Sequence, residues 1–97
     1  MRKIEGAMCE AVKRRTDWKS GNTEVKNTGN GLMFVYLHGN LIAMIRGTLC
    51  QFTLAGWNTN TTRSRLNALG CGISQRNYLP VHRGRVIDAN EWYNTTL

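Results

Sequence analysis

The sequence predicts a single α+β domain spanning residues 1–97: an N-terminal helix, an antiparallel β-meander, a short helix and a C-terminal β-hairpin. Three observations carry this expectation. A chain of 97 residues can bury only about 60–65% of its unfolded surface, enough for one modest core and no second domain. The hydrophobic period changes from 3.6 to 2 and back along the chain, and clusters of glycine and asparagine separate the period-2 runs.

The first element is "MRKIEGAMCEAVKRR", in which Ile4, Met8, Ala11 and Val12 recur at helical spacing. Arg2, Lys3, Lys13, Arg14 and Arg15 gather near its ends, giving an amphipathic helix with a basic outer face. Cations in the last turn complement the negative end of the helix dipole, and they are also able to contact phosphate. Four strands follow, at about 23–27, 32–37, 41–46 and 49–54. Turns are expected at Ser20-Gly21-Asn22, Thr28-Gly29-Asn30-Gly31, His38-Gly39-Asn40 and Gly47-Thr48. The strand "LMFVYL" is apolar on both alternating faces, which predicts a central position covered on both sides, or one face in an oligomer interface. In "LCQFTL", Cys50, Phe52 and Leu54 alternate with Gln51 and Thr53, so one face looks at water.

After Trp57, placed to close a core at the sheet-to-helix junction, the pattern is helical again over 60–69. Thr59 or Asn60 is the expected N-cap, and Gly70 stands where a left-handed C-cap belongs. The remainder reads as a hairpin with strands near 74–79 and 84–88, turning through His82-Arg83-Gly84. Pro80 places its strand at an edge or at an end. There is no low-complexity linker and no convincing repeat.

Lysine and arginine number 13 against 6 acidic residues, a formal charge of +7, and the resulting field attracts polyanions. Nucleic acid is the default partner, ahead of an anionic membrane or an acidic protein. No run approaches the ~20 apolar residues of a membrane span, and the N-terminus lacks a signal-peptide pattern. Cys9, Cys50 and Cys71 are an odd set without C-x-x-C spacing, as suits reduced thiols in a cytoplasmic protein. His38, Cys50, Cys71 and His82 are zinc-type ligands, but their spacing matches no standard finger and no metal or other cofactor is expected. No nucleophile elbow, P-loop, dinucleotide fingerprint or H-E-x-x-H is present, and the carboxylates are scattered, which argues against an enzyme.

Two stretches suit anion binding. In "GWNTNTTRSRLNALG" a helix start exposes backbone N–H groups, with Thr61, Thr62, Arg63 and Arg65 adding hydroxyl and guanidinium donors within one turn. Capping alone explains the threonines and asparagines, so only the arginines distinguish an anion site from a well-made helix start. In "QRNYLPVHRGR", Arg76, Arg83 and Arg85 interleave with Tyr78 and His82, and a basic aromatic ribbon of this kind can enter a groove or track a strand. Lys13, Arg14 and Arg15 are additional basic candidates.

The order "SGNTEV", "VYLHGNLIA", "GWNTNTTRSRLNAL" and "EWY" resembles small uncharacterised accessory proteins of tailed bacteriophages, of podophage type. The resemblance runs from Ser20 to Leu69 and more loosely to Tyr93. It implies a phage accessory protein acting in the bacterial cytoplasm on a host target, and brings no catalytic residues with it. The expectation is a non-enzymatic protein that contacts the phosphate backbone of nucleic acid with low sequence specificity. The alternative is a protein-directed inhibitor or modulator of a bacterial host complex.

Overall fold

Helix α1 (Lys3–Arg14) turns Glu5, Met8 and Ala11 inward, each three residues from the next, so that they share one face. The computed structural model describes residues 3–97, so Arg2 of the expected basic face lies outside the described residues. Ile4 and Val12 flank the buried stripe. On the opposite side Arg14 Nε donates to the Glu10 carboxylate one turn earlier at 2.6 Å, an exposed pair worth roughly 0.3–0.5 kcal/mol. The helix stops where Arg15 adopts a left-handed φ of 57°. Arg15 N and Thr16 N then bond back to Val12 O and Ala11 O, satisfying carbonyls of the last turn.

An antiparallel meander follows through β1 (Trp18–Ser20), β2 (Thr23–Asn27), β3 (Met33–Leu37), β4 (Asn40–Arg46) and β5 (Leu49–Phe52). The last strand of the chain, β9 (Tyr93–Thr96), returns to pair with β5 and completes a six-stranded sheet. Register aligns Trp18, Val25, Val35, Ala43, Phe52 and Tyr93 in one inward row across all six strands. A bulge beside Val35 and Tyr36 leaves Ile42 without a cross-strand partner, and the extra residue turns into the core next to Ala43.

Strand β3 is central, as its apolar character required, yet only one of its faces is covered by other elements. Met33, Val35 and Leu37 are buried beneath the helices, whereas Phe34 and Tyr36 are half-buried on the opposite face. Their cover comes from within the sheet. The two rings meet edge to face at 6.4 Å, and Lys26 Nζ sits 5.6 Å from the Tyr36 centroid.

Helix α2 (Asn60–Leu69) is capped by Thr59, whose hydroxyl accepts from Thr62 N at 3.2 Å. Its C-terminal carbonyls receive Gly70 N and Cys71 N, with Gly70 at φ 107°, an angle that favours glycine. Asn67 then clamps the outgoing chain: its Oδ1 accepts from Ile73 N at 2.6 Å and its Nδ2 donates to Ile73 O at 2.7 Å. Met8 and Leu66 from the two helices join Val25, Val35, Ile45 and Phe52 of the sheet in one core. Trp57 does not close that core; its side chain stands largely in solvent.

The expected C-terminal hairpin is a three-stranded sheet of β6 (Ile73–Arg76), β7 (Leu79–His82) and β8 (Arg85–Val86). A turn at Asn77-Tyr78 splits the segment that the alternation reads as one strand. The second turn, at Arg83-Gly84, lies where the sequence places it. Pro80 is in the middle strand rather than at an edge, because β8 is too short to need its missing N–H. β8 pairs only with Val81 and His82, and beyond it Ile87 N donates to Pro80 O, a bond that proline can accept. The small sheet packs on the helix side, where the His82 ring meets Phe52 edge-on at 4.9 Å.

Candidate nucleic-acid interface

The start of α2 separates its two arginines. Three-residue spacing puts Thr62 and Arg65 on the inward face with Leu66 and, half-buried, Leu69, so neither is offered to an external anion. Arg65 is 4% exposed. Its Nη1 donates to Glu5 Oε2 at 2.7 Å, Nε to Thr23 Oγ1 at 2.9 Å and Nη2 to Asn22 Oδ1 at 3.4 Å, while Ser64 Oγ donates to the same Glu5 oxygen at 2.6 Å. This buried ion pair ties α1, α2 and β2 together, and it corrects the expectation that Arg65 and Thr62 belong to an anion site. Thr61 remains half-exposed at the first turn.

Arg63 points elsewhere. Its guanidinium donates to Asn58 Oδ1 through Nη1 and to Asn60 Oδ1 through Nη2. Asn58 in turn donates through Nδ2 to Tyr78 O at 3.1 Å. The two stretches that the sequence singles out separately are therefore joined by one asparagine, which follows the exposed Trp57 in sequence, and exposed Arg76 lies two residues before Tyr78 on β6. Tyr78 occupies a left-handed conformation, φ 65°, next to Asn77 at φ 51°. Tyrosine is poorly suited to this place in a two-residue turn, where glycine is favoured. Its side chain is 87% exposed, so no packing offsets the strain.

The other cations lie apart. Arg83 and Arg85 are at the opposite end of β7, a strand length of roughly 13 Å from the Tyr78 turn, and Arg83 Nη2 reaches Thr95 Oγ1 at 3.4 Å. Helices α1 and α2 run side by side in the same direction, since Glu5 lies against Ser64 and Arg65, and Cys9 Sγ reaches Ala68 O at 3.2 Å. Lys13, Arg14 and Arg15 are thus at least about 12 Å along α1 from the level of Arg65. All three are exposed.

Two further surfaces lie outside the basic stretches, and only the second is foreshadowed, by the two apolar faces of "LMFVYL". One is a cleft of about 510 Å³ between the β3–β4 turn, the chain after β5 and the first turn of α2. Its position depends on three separated segments, so no local pattern announces it. The other is the outer face of the six-stranded sheet. Register sets Lys26, Phe34, Met44, Gln51 and Asn94 in one row there, and Lys19, Glu24, Tyr36 and Leu41 in the next. Among the described residues no helix packs across this face.

The thiols are placed for packing. Cys50 and Cys71 are both buried, with their sulfurs 4.0 Å apart. The hydrogen bond shared by the Cys71 and Cys50 thiols, together with burial, pushes the Cys71 pKa far up; burial and the charge of Glu5 raise that of Cys9. His38 is on the β3–β4 turn, away from that pair, and among the described residues no three His, Cys, Asp or Glu side chains gather as a metal site. No described helix is long and apolar enough to cross a membrane.

A family model described as Kyanoviridae Gp96 protein matches residues 1–97, the whole of the chain. No curated protein and no solved structure matches.

Proposed function

The chain belongs to the Kyanoviridae Gp96 family of tailed phages, and from that premise we propose a non-enzymatic accessory protein that contacts nucleic acid through its phosphates in the cytoplasm of the bacterial host. The observation that carries the reading is the Arg63–Asn58–Tyr78 connection. It ties a guanidinium, through one asparagine, to the backbone of an exposed, left-handed tyrosine, with exposed Arg76 two residues before it. Guanidinium groups supply charge-assisted bonds to phosphate, and an exposed ring supplies a stacking face for a base of any identity. Such contacts position a protein on a strand without reading sequence.

The test is binding to generic single- and double-stranded oligonucleotides over a range of salt. Replacing Arg63 and Arg76 together by alanine should weaken binding at low salt and reduce the slope of log K against log salt by up to about two phosphate contacts. Parent affinity and slope in the double variant would end this reading.

A second reading, modulation of a host protein complex, is favoured by the outer face of the sheet. Half-buried Phe34, Tyr36 and Met44 lie there with Lys19, Lys26 and Glu24, whose carboxylate is 3.9 Å from Lys26 Nζ, an apolar strip whose margin carries a net positive charge and suits an acidic protein. It is supported if a partner survives nuclease treatment in a pull-down and is lost with Met44→Glu.

A further inference from the structure

The cleft beside Trp57 is built differently from the exposed basic surface it adjoins. Its floor is apolar, made by the buried side chains of Leu37, Ile42 and Leu54. Polar residues complete its lining, His38 and Asn40 from the β3–β4 turn and Thr59, Thr61 and Thr62 from the start of α2. Trp57 lines it and is 61% exposed. A volume of about 510 Å³ falls within the roughly 300–1,000 Å³ of small-molecule sites. An apolar floor with an indole beside it and polar residues around it suits a flat heteroaromatic ring with polar edges. An aliphatic chain would leave the polar lining unused, and a bare phosphate would meet the apolar floor.

We infer that this cleft receives one unpaired nucleobase, stacked against Trp57, of the strand whose phosphates are held at Arg63 and Arg76. The inference rests on the nucleic-acid reading above and adds to it a base site and a preference for single strands. Continuity with the basic surface supplies the occupant. Trp57 is followed directly by Asn58, whose side chain bonds both Arg63 and Tyr78 O. A strand with a base in the cleft therefore passes its backbone toward the guanidinium groups and offers its next base to the Tyr78 ring. A base inside a duplex is paired and stacked and cannot enter without being extruded.

The experiment compares a 12-residue thymidine oligomer with a strand of the same length made of abasic sites, at low salt, by fluorescence anisotropy and by tryptophan emission. The chain has 3 tryptophans, so Trp57→Phe assigns any emission change to the cleft. The thymidine strand should bind about tenfold more tightly or better, as expected for a stacked base, and should quench Trp57. In a Tyr78→Ala background, which removes the second stacking ring, Trp57→Ala, and Thr61→Phe, which fills the mouth from the other side, should each abolish the preference while leaving residual binding with the parent salt slope. Melting curves establish that both variants are folded. Equal affinity of the parent for the two strands, or a preference that survives folded Trp57→Ala in the Tyr78→Ala background, overturns the base site alone. Binding of neither strand at low salt overturns the nucleic-acid reading and the base site with it.

Discussion

Arg63 and Arg65 stand two residues apart on one helix, and the roughly 200° of rotation between them decides what each can do. Arg65 meets a carboxylate that is 2% exposed, so truncating it takes the guanidinium from a buried charge that keeps its other partners, Ser64 Oγ among them. Arg65→Ala should cost about 3–5 kcal/mol, measured by urea denaturation. Pairing it with Glu5→Gln should recover part of the loss, because the buried negative charge that the guanidinium balanced is then gone. A parent-like midpoint for Arg65→Ala would show that the pair contributes nothing to folding. At the helix start, Thr59→Ala should cost about 1 kcal/mol, because it removes the hydroxyl that satisfies Thr62 N, whereas Asn60→Ala should leave the cap intact. The sequence narrowed the cap to these two residues, since capping chemistry is local. It gave no sign that Arg65 would turn inward, because Glu5 is 60 positions away and no spacing rule links them.

Among the elements, the meander was legible because its turns carry glycine between period-2 runs. Strand β9 was not, since "YNTT" lacks an apolar alternation and is placed by its pairing with β5. The turn at Asn77-Tyr78 was missed because tyrosine occupies a position where glycine is favoured. That mismatch makes a prediction. Tyr78→Gly should raise stability by roughly 0.5–1 kcal/mol, the relief of left-handed strain outweighing the entropy of glycine, and should weaken nucleic-acid binding at the same time. A melting temperature that falls would show that the ring supports the fold. His82, on β7 against Phe52, makes the small sheet sensitive to pH. Burial, and secondarily the charge of Arg83, hold its pKa below the ordinary 6.5, so the unfolded chain takes up the proton more readily. Its contribution is fully present above about pH 6.5 and is lost as pH falls from there toward the folded-state pKa. The parent melting temperature should therefore drop more between pH 7 and pH 5 than that of His82→Gln. Parallel curves would remove His82 as the cause.

At the scale of the molecule, the question is whether a charge of +7 acts as a diffuse field or through one place. The cations are dispersed over a body of 37 × 25 × 21 Å, and the separations between clusters exceed the ~10 Å screening length at 0.1 M salt. A diffuse field responds to how many charges are removed, whereas a discrete interface responds to which ones. Arg83→Ala with Arg85→Ala removes the same two charges as Arg63→Ala with Arg76→Ala, from the far end of β7. The expected outcome is that the first pair slows association slightly and leaves the salt slope unchanged, while the second lowers the slope by up to about two phosphate contacts. The comparison controls for net charge, so a difference between the pairs can come only from position. Equal losses from both would mean that no particular surface holds the strand, and that Tyr78 carries its backbone strain for some other purpose.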